Sequence, residues 1–122
     1  MKSKKFSIPN SLLPPGFKDE VSDQAAVEHK YKNIIINLFQ TNGYKLVKTP
    51  LIQFADDKNS KNLLTIKTKH KERELIIRDD ITMQISRISS VRLSNTIRPL
   101  KLCYYGEVVR NKGTMLRPER QF

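Results

Sequence analysis

A single cysteine, Cys103, rules out an internal disulfide and any zinc cluster built from thiolates. It lies in the apolar run Leu100-Lys101-Leu102-Cys103-Tyr104-Tyr105, where a small buried hydrophobe is the expectation. Neither His29 nor His70 sits in a nucleophile motif, so no catalytic cysteine is expected. A phosphate-cradling glycine loop, a metal-ligand cluster and a Ser/His/Asp arrangement are all absent, and no catalytic residue, metal or cofactor is assigned. With only four Gly and six Pro in 122 residues, the composition is neither low-complexity nor collagen-like. No apolar stretch approaches the roughly 20 residues that a membrane helix needs. The basic start Met1-Lys2-Ser3-Lys4-Lys5 has no apolar signal core behind it, and a cytoplasmic location without membrane contact is expected. Acidic residues are scarce. Twelve Asp and Glu face 23 Lys and Arg, a formal net charge of +11. That balance suits an anionic partner, but the Lys are scattered among Asn and Ser as on an ordinary solvated surface.

What is present reads as one small α+β unit. Residues 1–18 form an irregular lead-in, because Pro9, Pro14, Pro15 and Gly16 break both helix and strand. Residues 19–122 form the core. From about Asp19 to Asn42, Val27, Tyr31, Ile34, Ile35, Leu38 and Phe39 recur at helical spacing, with Ile36 widening the apolar face. Asp19 or Ser22 is expected to cap this helix, and Gly43 to end it. A helix with so broad an apolar face fits a subunit interface as well as a core. Tyr44–Thr49, closed by Pro50, reads as a short strand, and residues 53–61 as a loop. Leu63–Lys67 and Glu74–Arg78 read as a hairpin, with His70 in its charged turn. A second helix starts at Asp79-Asp80-Ile81-Thr82, with Met83, Ile85, Ile88, Val91 and Leu93 inward, and a strand from Leu100 to Val109 follows.

Three features carry possible chemistry. Arg78-Asp79-Asp80-Ile81-Thr82 brings an arginine, two carboxylates and a hydroxyl to a helix start. That set can bind a zwitterion, or the aspartates can simply cap the helix. In Tyr104–Arg110, alternation puts Gly106, Val108 and Arg110 on one face and Tyr105, Glu107 and Val109 on the other. Gly106 implies a close approach, and Arg110 either pairs with an anion or finishes the sheet. The stretch Lys112–Arg120 holds three cations beside Gly113, which suits either polyanion contact or an exposed hairpin tip.

Taken together these motifs resemble the histidyl-tRNA synthetase branch of the class II aminoacyl-tRNA synthetases. Leu13-Pro14-Pro15-Gly16-Phe17-Lys18-Asp19 is similar to that family's N-terminal lead-in. The helix running into Gly43–Pro50 resembles motif 1, the dimer-forming helix and strand. Ile77–Thr82 resembles the histidine-binding segment, and Leu102–Arg110 the first strand of motif 2 with its arginine. Arg120-Gln121-Phe122 resembles the start of the returning strand. The resemblance implies a class II antiparallel sheet with flanking helices, entered at motif 1 and left within motif 2, with further histidine contacts beyond Phe122. It also implies that this stretch alone is catalytically inert and exposes an apolar edge prone to association.

Two departures select a branch of the family. The synthetases carry a glutamate two residues after the motif 2 arginine, where Lys112 stands here. Their arginine-proline-glutamate-glycine-threonine segment has Asp80 for glutamate and Ile81 for glycine. Both changes, together with Met83–Ile88 and the tail Gly113–Phe122, are similar to the regulatory subunits of ATP phosphoribosyltransferase, non-aminoacylating paralogues that serve histidine biosynthesis. By carry-over Asp80, Ile81 and Thr82 form the histidine segment, with Asp80 and Thr82 on the amino group and Arg110 on the carboxylate side. Arg78, Lys112, Arg117 and Arg120 are the candidate anion or phosphate contacts, and Tyr31, Ile35 and Pro50 the homodimer contacts of motif 1. The implied partners are the short-form catalytic phosphoribosyltransferase, a second copy of the chain, and L-histidine as effector. An active histidyl-tRNA synthetase is the alternative, and a small basic nucleic-acid-binding module the second.

Overall fold

The structure, a computed structural model, describes residues 13–55, 62–69 and 73–122. Residues 1–12 of the expected lead-in, residues 56–61 of the expected loop and His70 lie outside the described residues.

Helix α1 spans Asp23–Thr41, a turn shorter at its start than the apolar spacing suggests. Ser22 occupies the position before it at φ 52°, and its hydroxyl makes no capping bond. Asp19 lies outside the helix. The far end behaves as expected. Gly43 sits at φ +84°, and the N–H groups of Gly43 and Tyr44 return to Gln40 O and Phe39 O at 3.0 Å each. Tyr44 then folds edge-on against Phe39, with ring centroids 5.3 Å apart.

Strand β1 (Lys45–Leu46) pairs with β5 (Leu102–Cys103), and α1 packs across both. The pairing is parallel, which corrects part of the expected antiparallel sheet. The intervening chain includes a complete sheet and a helix, ample length for a parallel crossover. The antiparallel sheet itself is built from β2 (Ile52–Phe54), β3 (Leu64–Ile66) and β4 (Leu75–Ile77) in the order β2-β4-β3. The hairpin expected from Leu63–Lys67 and Glu74–Arg78 is present, with Thr65 opposite Ile76. Gln53 and Phe54, expected in a loop, belong to β2 instead, because central β4 has a second edge that Ile52–Phe54 completes.

Helix α2 (Thr82–Arg87) passes into a π-helical turn, Ile88–Arg92. Two expected inner positions, Met83 and Val91, point outward. Ile81 and Gln84 take the buried face at three-residue spacing, Ile85, Ile88 and Leu93 are half-buried, and Val91 falls within the wider π turn. The expected strand Leu100–Val109 is regular only at Leu102–Cys103. Further along, Val109 bridges Gln121, and Val108 N and Phe122 N exchange bonds with each other's carbonyls at 2.9 and 3.2 Å. Residues 108–110 and 120–122 therefore run antiparallel, as a strand and its return.

The interior is small. Among the described residues the buried apolar side chains are Ile76, Ile81, Cys103 and Val109, accompanied by two polar ones, Arg78 and Gln84. Cys103 is thus the small buried hydrophobe expected of it. By contrast Val27, Tyr31, Ile34, Ile35, Leu38 and Phe39 of α1 are all exposed. Among the described residues no helix is long and apolar enough to cross a membrane.

Candidate functional site

Strand β4 delivers the first wall of the site. Side-chain alternation from buried Ile76 puts Arg78 on the same inward face, where it is only 6% exposed. Its Nη1 donates to Thr49 O at 3.0 Å and to Thr49 Oγ1 at 2.9 Å, and its Nε donates to Glu107 O at 2.8 Å. Asp79 and Asp80 follow at the strand end. Asp80 Oδ1 accepts the Thr82 N–H at 2.8 Å, a turn bond from the residue before the cap position Ile81, which itself makes no side-chain capping bond. Thr82 Oγ1 lies 3.1 Å from the Tyr104 hydroxyl, linking this wall to the segment after β5.

The second wall is the strand around Arg110. Val109 N donates to Arg78 O at 3.0 Å, which places the strand beside the end of β4. Gly106 passes directly over Arg78: a Cβ there would collide with the guanidinium and stand 3.1 Å from Ile81 Cδ1. This is the close approach that a glycine inside a strand implied. The Arg110 guanidinium stacks over the Phe122 ring at 4.8 Å. Asp79, Asp80, Ile81, Tyr104, Val108, Arg110 and Phe122 together line an open depression of ≈ 430 Å³. Its lining combines the carboxylates of Asp79 and Asp80, the cation of Arg110, and the aromatic and aliphatic residues Tyr104, Phe122, Ile81 and Val108. That is a set for a small zwitterion.

Asp80, Ile81 and Arg110 of the expected histidine group line this one depression, and Thr82 stands beside it through Tyr104. Asp79, one of the two carboxylates read as able to bind a zwitterion, lines it too, whereas Tyr104, Val108 and Phe122 were missed as lining residues. The alternation that pairs Val108 with Arg110 on one face was the signal for Val108.

The expected anion contacts do not act as one group. Arg78 is a correction: its guanidinium is buried and bonded to protein oxygens, which leaves it no surface for an anion. Arg120 is a second. It stacks over Phe17 at 4.8 Å, its Nη1 donates to Pro15 O at 3.2 Å, and its Nε donates to Arg110 O at 3.1 Å. Its backbone N–H also donates to Gly16 O at 2.8 Å, so this arginine fastens the lead-in to the chain around Arg110 and Arg120. Lys112 and Arg117 do remain exposed. Asn62 grips the Lys112 backbone through Oδ1 at 2.7 Å and Nδ2 at 3.0 Å, whereas Arg117 closes a turn on Thr114. Tyr31, Ile35 and Pro50 are exposed, the first two on the apolar face of α1.

A second depression, ≈ 410 Å³, lies between Lys18, Glu20, Glu28, His29, Lys32 and Glu107. Lys18 pairs with Glu20 at 2.8 Å. Hydrogen bonding with Glu28, then with Lys18, holds the Glu20 carboxyl below its ordinary range, and the same bond to Glu20 raises that of Glu28. These groups satisfy one another, and no group of three or more metal-ligating side chains occurs among the described residues.

Comparison with known proteins gives a consistent result. A sequence model of the histidyl-tRNA synthetase family matches residues 16–122. The chain is 40% identical over 119 residues to a protein of Rhodospirillum rubrum named ATP phosphoribosyltransferase regulatory subunit, covering 92% of this chain and 31% of that one. It is 37% identical over 123 residues to a protein of the same name from Paramagnetospirillum magneticum, covering 95% and 32%. The chain thus spans about a third of the length of these curated relatives. Among solved structures it resembles an ATP phosphoribosyltransferase regulatory subunit/histidyl-tRNA synthetase from Bacillus halodurans, with TM-score 0.78, 18% identity, and coverage of 95% and 31%. It also resembles histidyl-tRNA synthetase from a Nostoc species, with TM-score 0.77, 17% identity, and coverage of 93% and 27%. The shared fold is the class II core of helix-flanked antiparallel sheet.

Proposed function

Since this chain belongs to the histidyl-tRNA synthetase family, we propose that it is part of a regulatory subunit of ATP phosphoribosyltransferase that binds histidine and does not aminoacylate. One observation supports the site: the Asp80-Ile81 pair and Arg110, about thirty residues apart in sequence, line a single depression that carries both charge signs. A free amino acid presents an ammonium and a carboxylate, the two charges that such a lining can pair. Asp80 accepts from the ammonium, helped by Thr82, and Arg110 pairs with the carboxylate through its planar fork. The Tyr104 and Phe122 rings offer the flat surface against which an imidazole packs.

The regulatory reading is favoured over the aminoacylating one by Lys112 and by the names of the relatives at 37–40% identity. Lys112 supplies donors where adenine recognition needs an acceptor. Histidine would report to a short catalytic phosphoribosyltransferase partner by reciprocal linkage: whatever the partner does to histidine affinity, histidine does to the partner. A second copy of the chain would dock through Tyr31, Ile35 and Pro50 of the motif 1 region. Histidine-dependent ATP–pyrophosphate exchange tests the reading in the natural full-length polypeptide. No exchange is expected, together with histidine inhibition of the reconstituted phosphoribosyltransferase. Exchange at synthetase-like rates would establish the aminoacylating alternative.

A further inference from the structure

The two walls of the depression share one anchor that lies outside it. Segment 79–83 is flanked by Arg78 and Gln84, the two buried polar side chains among the described residues. Both reach the same two-residue stretch. Arg78 Nη1 donates to Thr49 O and Oγ1 at 3.0 and 2.9 Å, and Gln84 Nε2 donates to Pro50 O at 2.8 Å. The Thr49 hydroxyl joins them, accepting from Arg78 and donating its one proton to Gln84 Oε1 at 2.8 Å. The opposite wall hangs on the same arginine, through Nε to Glu107 O at 2.8 Å and through Val109 N to Arg78 O at 3.0 Å.

We propose that Arg78 and Gln84, locked together by the Thr49 hydroxyl, are positioning residues that set the separation of Asp80 and Arg110, and hence the affinity of the depression for its ligand. Neither side chain lines the depression. Their effect runs through the backbone: both ends of the first wall are bonded to Thr49–Pro50, and the second wall is bonded to Arg78. A buried network in which every member has a partner holds one geometry, and deleting one member leaves the others to reorganise. This inference rests on the histidine reading for the identity of the ligand, though not for the geometry.

Thr49 gives the cleanest test, because Thr49→Val keeps the shape and removes the hydroxyl, while Thr49→Ser keeps the hydroxyl. In the natural full-length polypeptide, Thr49→Val is expected to weaken histidine binding roughly tenfold, the scale of one unsatisfied buried polar group. Thr49→Ser is expected to restore the affinity to within about twofold. Methyl NMR supplies a readout that needs no ligand. The Ile81 and Val109 methyl signals, one from each wall, should move in Thr49→Val and return in Thr49→Ser, while the Ile66 methyl in β3 stays in place. Thr49→Val with a lowered melting temperature, unchanged histidine affinity and unmoved wall methyls would overturn the proposal and leave Thr49 a stabilising residue only. If the unmodified protein does not titrate with histidine but the wall methyls respond as stated, the ligand assignment fails and the positioning role stands.

Discussion

Two regions of this small molecule invert the usual arrangement, in opposite senses. Around Thr49, Arg78 and Gln84, polar side chains are buried, and among the described residues no buried side-chain polar atom lacks a partner. Along α1 an apolar stripe of Val27, Tyr31, Ile34, Ile35 and Leu38 faces outward, each at least half exposed. The first region is complete in itself. Its bonds close within the chain, consistent with the positioning role proposed above. The second region is only partly covered by the chain that carries it, and a second surface would bury the rest. Geometry is thus the role proposed for the buried polar region, and docking a second surface that proposed for the exposed apolar one.

The sharpest way to break that contrast is to remove the arginine. Arg78→Met leaves the Glu107 and Thr49 carbonyls without their donor and is expected to cost about 3 kcal/mol, read as a shift of the urea midpoint. Gly106→Ala attacks the same region from the backbone side, because the added methyl meets the guanidinium and Ile81. About 2 kcal/mol is expected from overpacking, with a matching fall in melting temperature. Phe17→Leu keeps volume but removes the ring beneath Arg120, and about 1 kcal/mol or less should be lost at this exposed clamp. At the other extreme, Ile35→Glu on the α1 stripe should leave unfolding within about 0.5 kcal/mol while shifting the sedimentation profile toward monomer. If Ile35→Glu instead unfolds the protein, the stripe is core and the contrast collapses.

Much of this was legible in the sequence, and the reason is chemical. Asp80, Ile81, Thr82 and Arg110 sit in short motifs whose residue types and order survive without knowledge of the packing. Gly106 was legible because a glycine within a strand has few other uses. The roles of Arg78 and Arg120 were not legible, since an arginine in a basic chain reads as an anion contact until its acceptors are known. Even so, alternation from Ile76 pointed Arg78 inward. The parallel β1–β5 pair escaped because it joins residues more than fifty positions apart through strands of two residues each, too short to carry a pattern. The outward turn of Val91 followed from a π turn that no helical periodicity anticipates.

The account rests most heavily on Asp80 and Arg110 forming opposite ends of one amino-acid site. Calorimetric titration of the natural full-length polypeptide with L-histidine, beside its Arg110→Ala variant, tests this directly. Saturable binding is predicted, weakened by roughly tenfold or more in Arg110→Ala through loss of a charge-assisted pair. Equal affinity in the two proteins, or no binding in either, would contradict it.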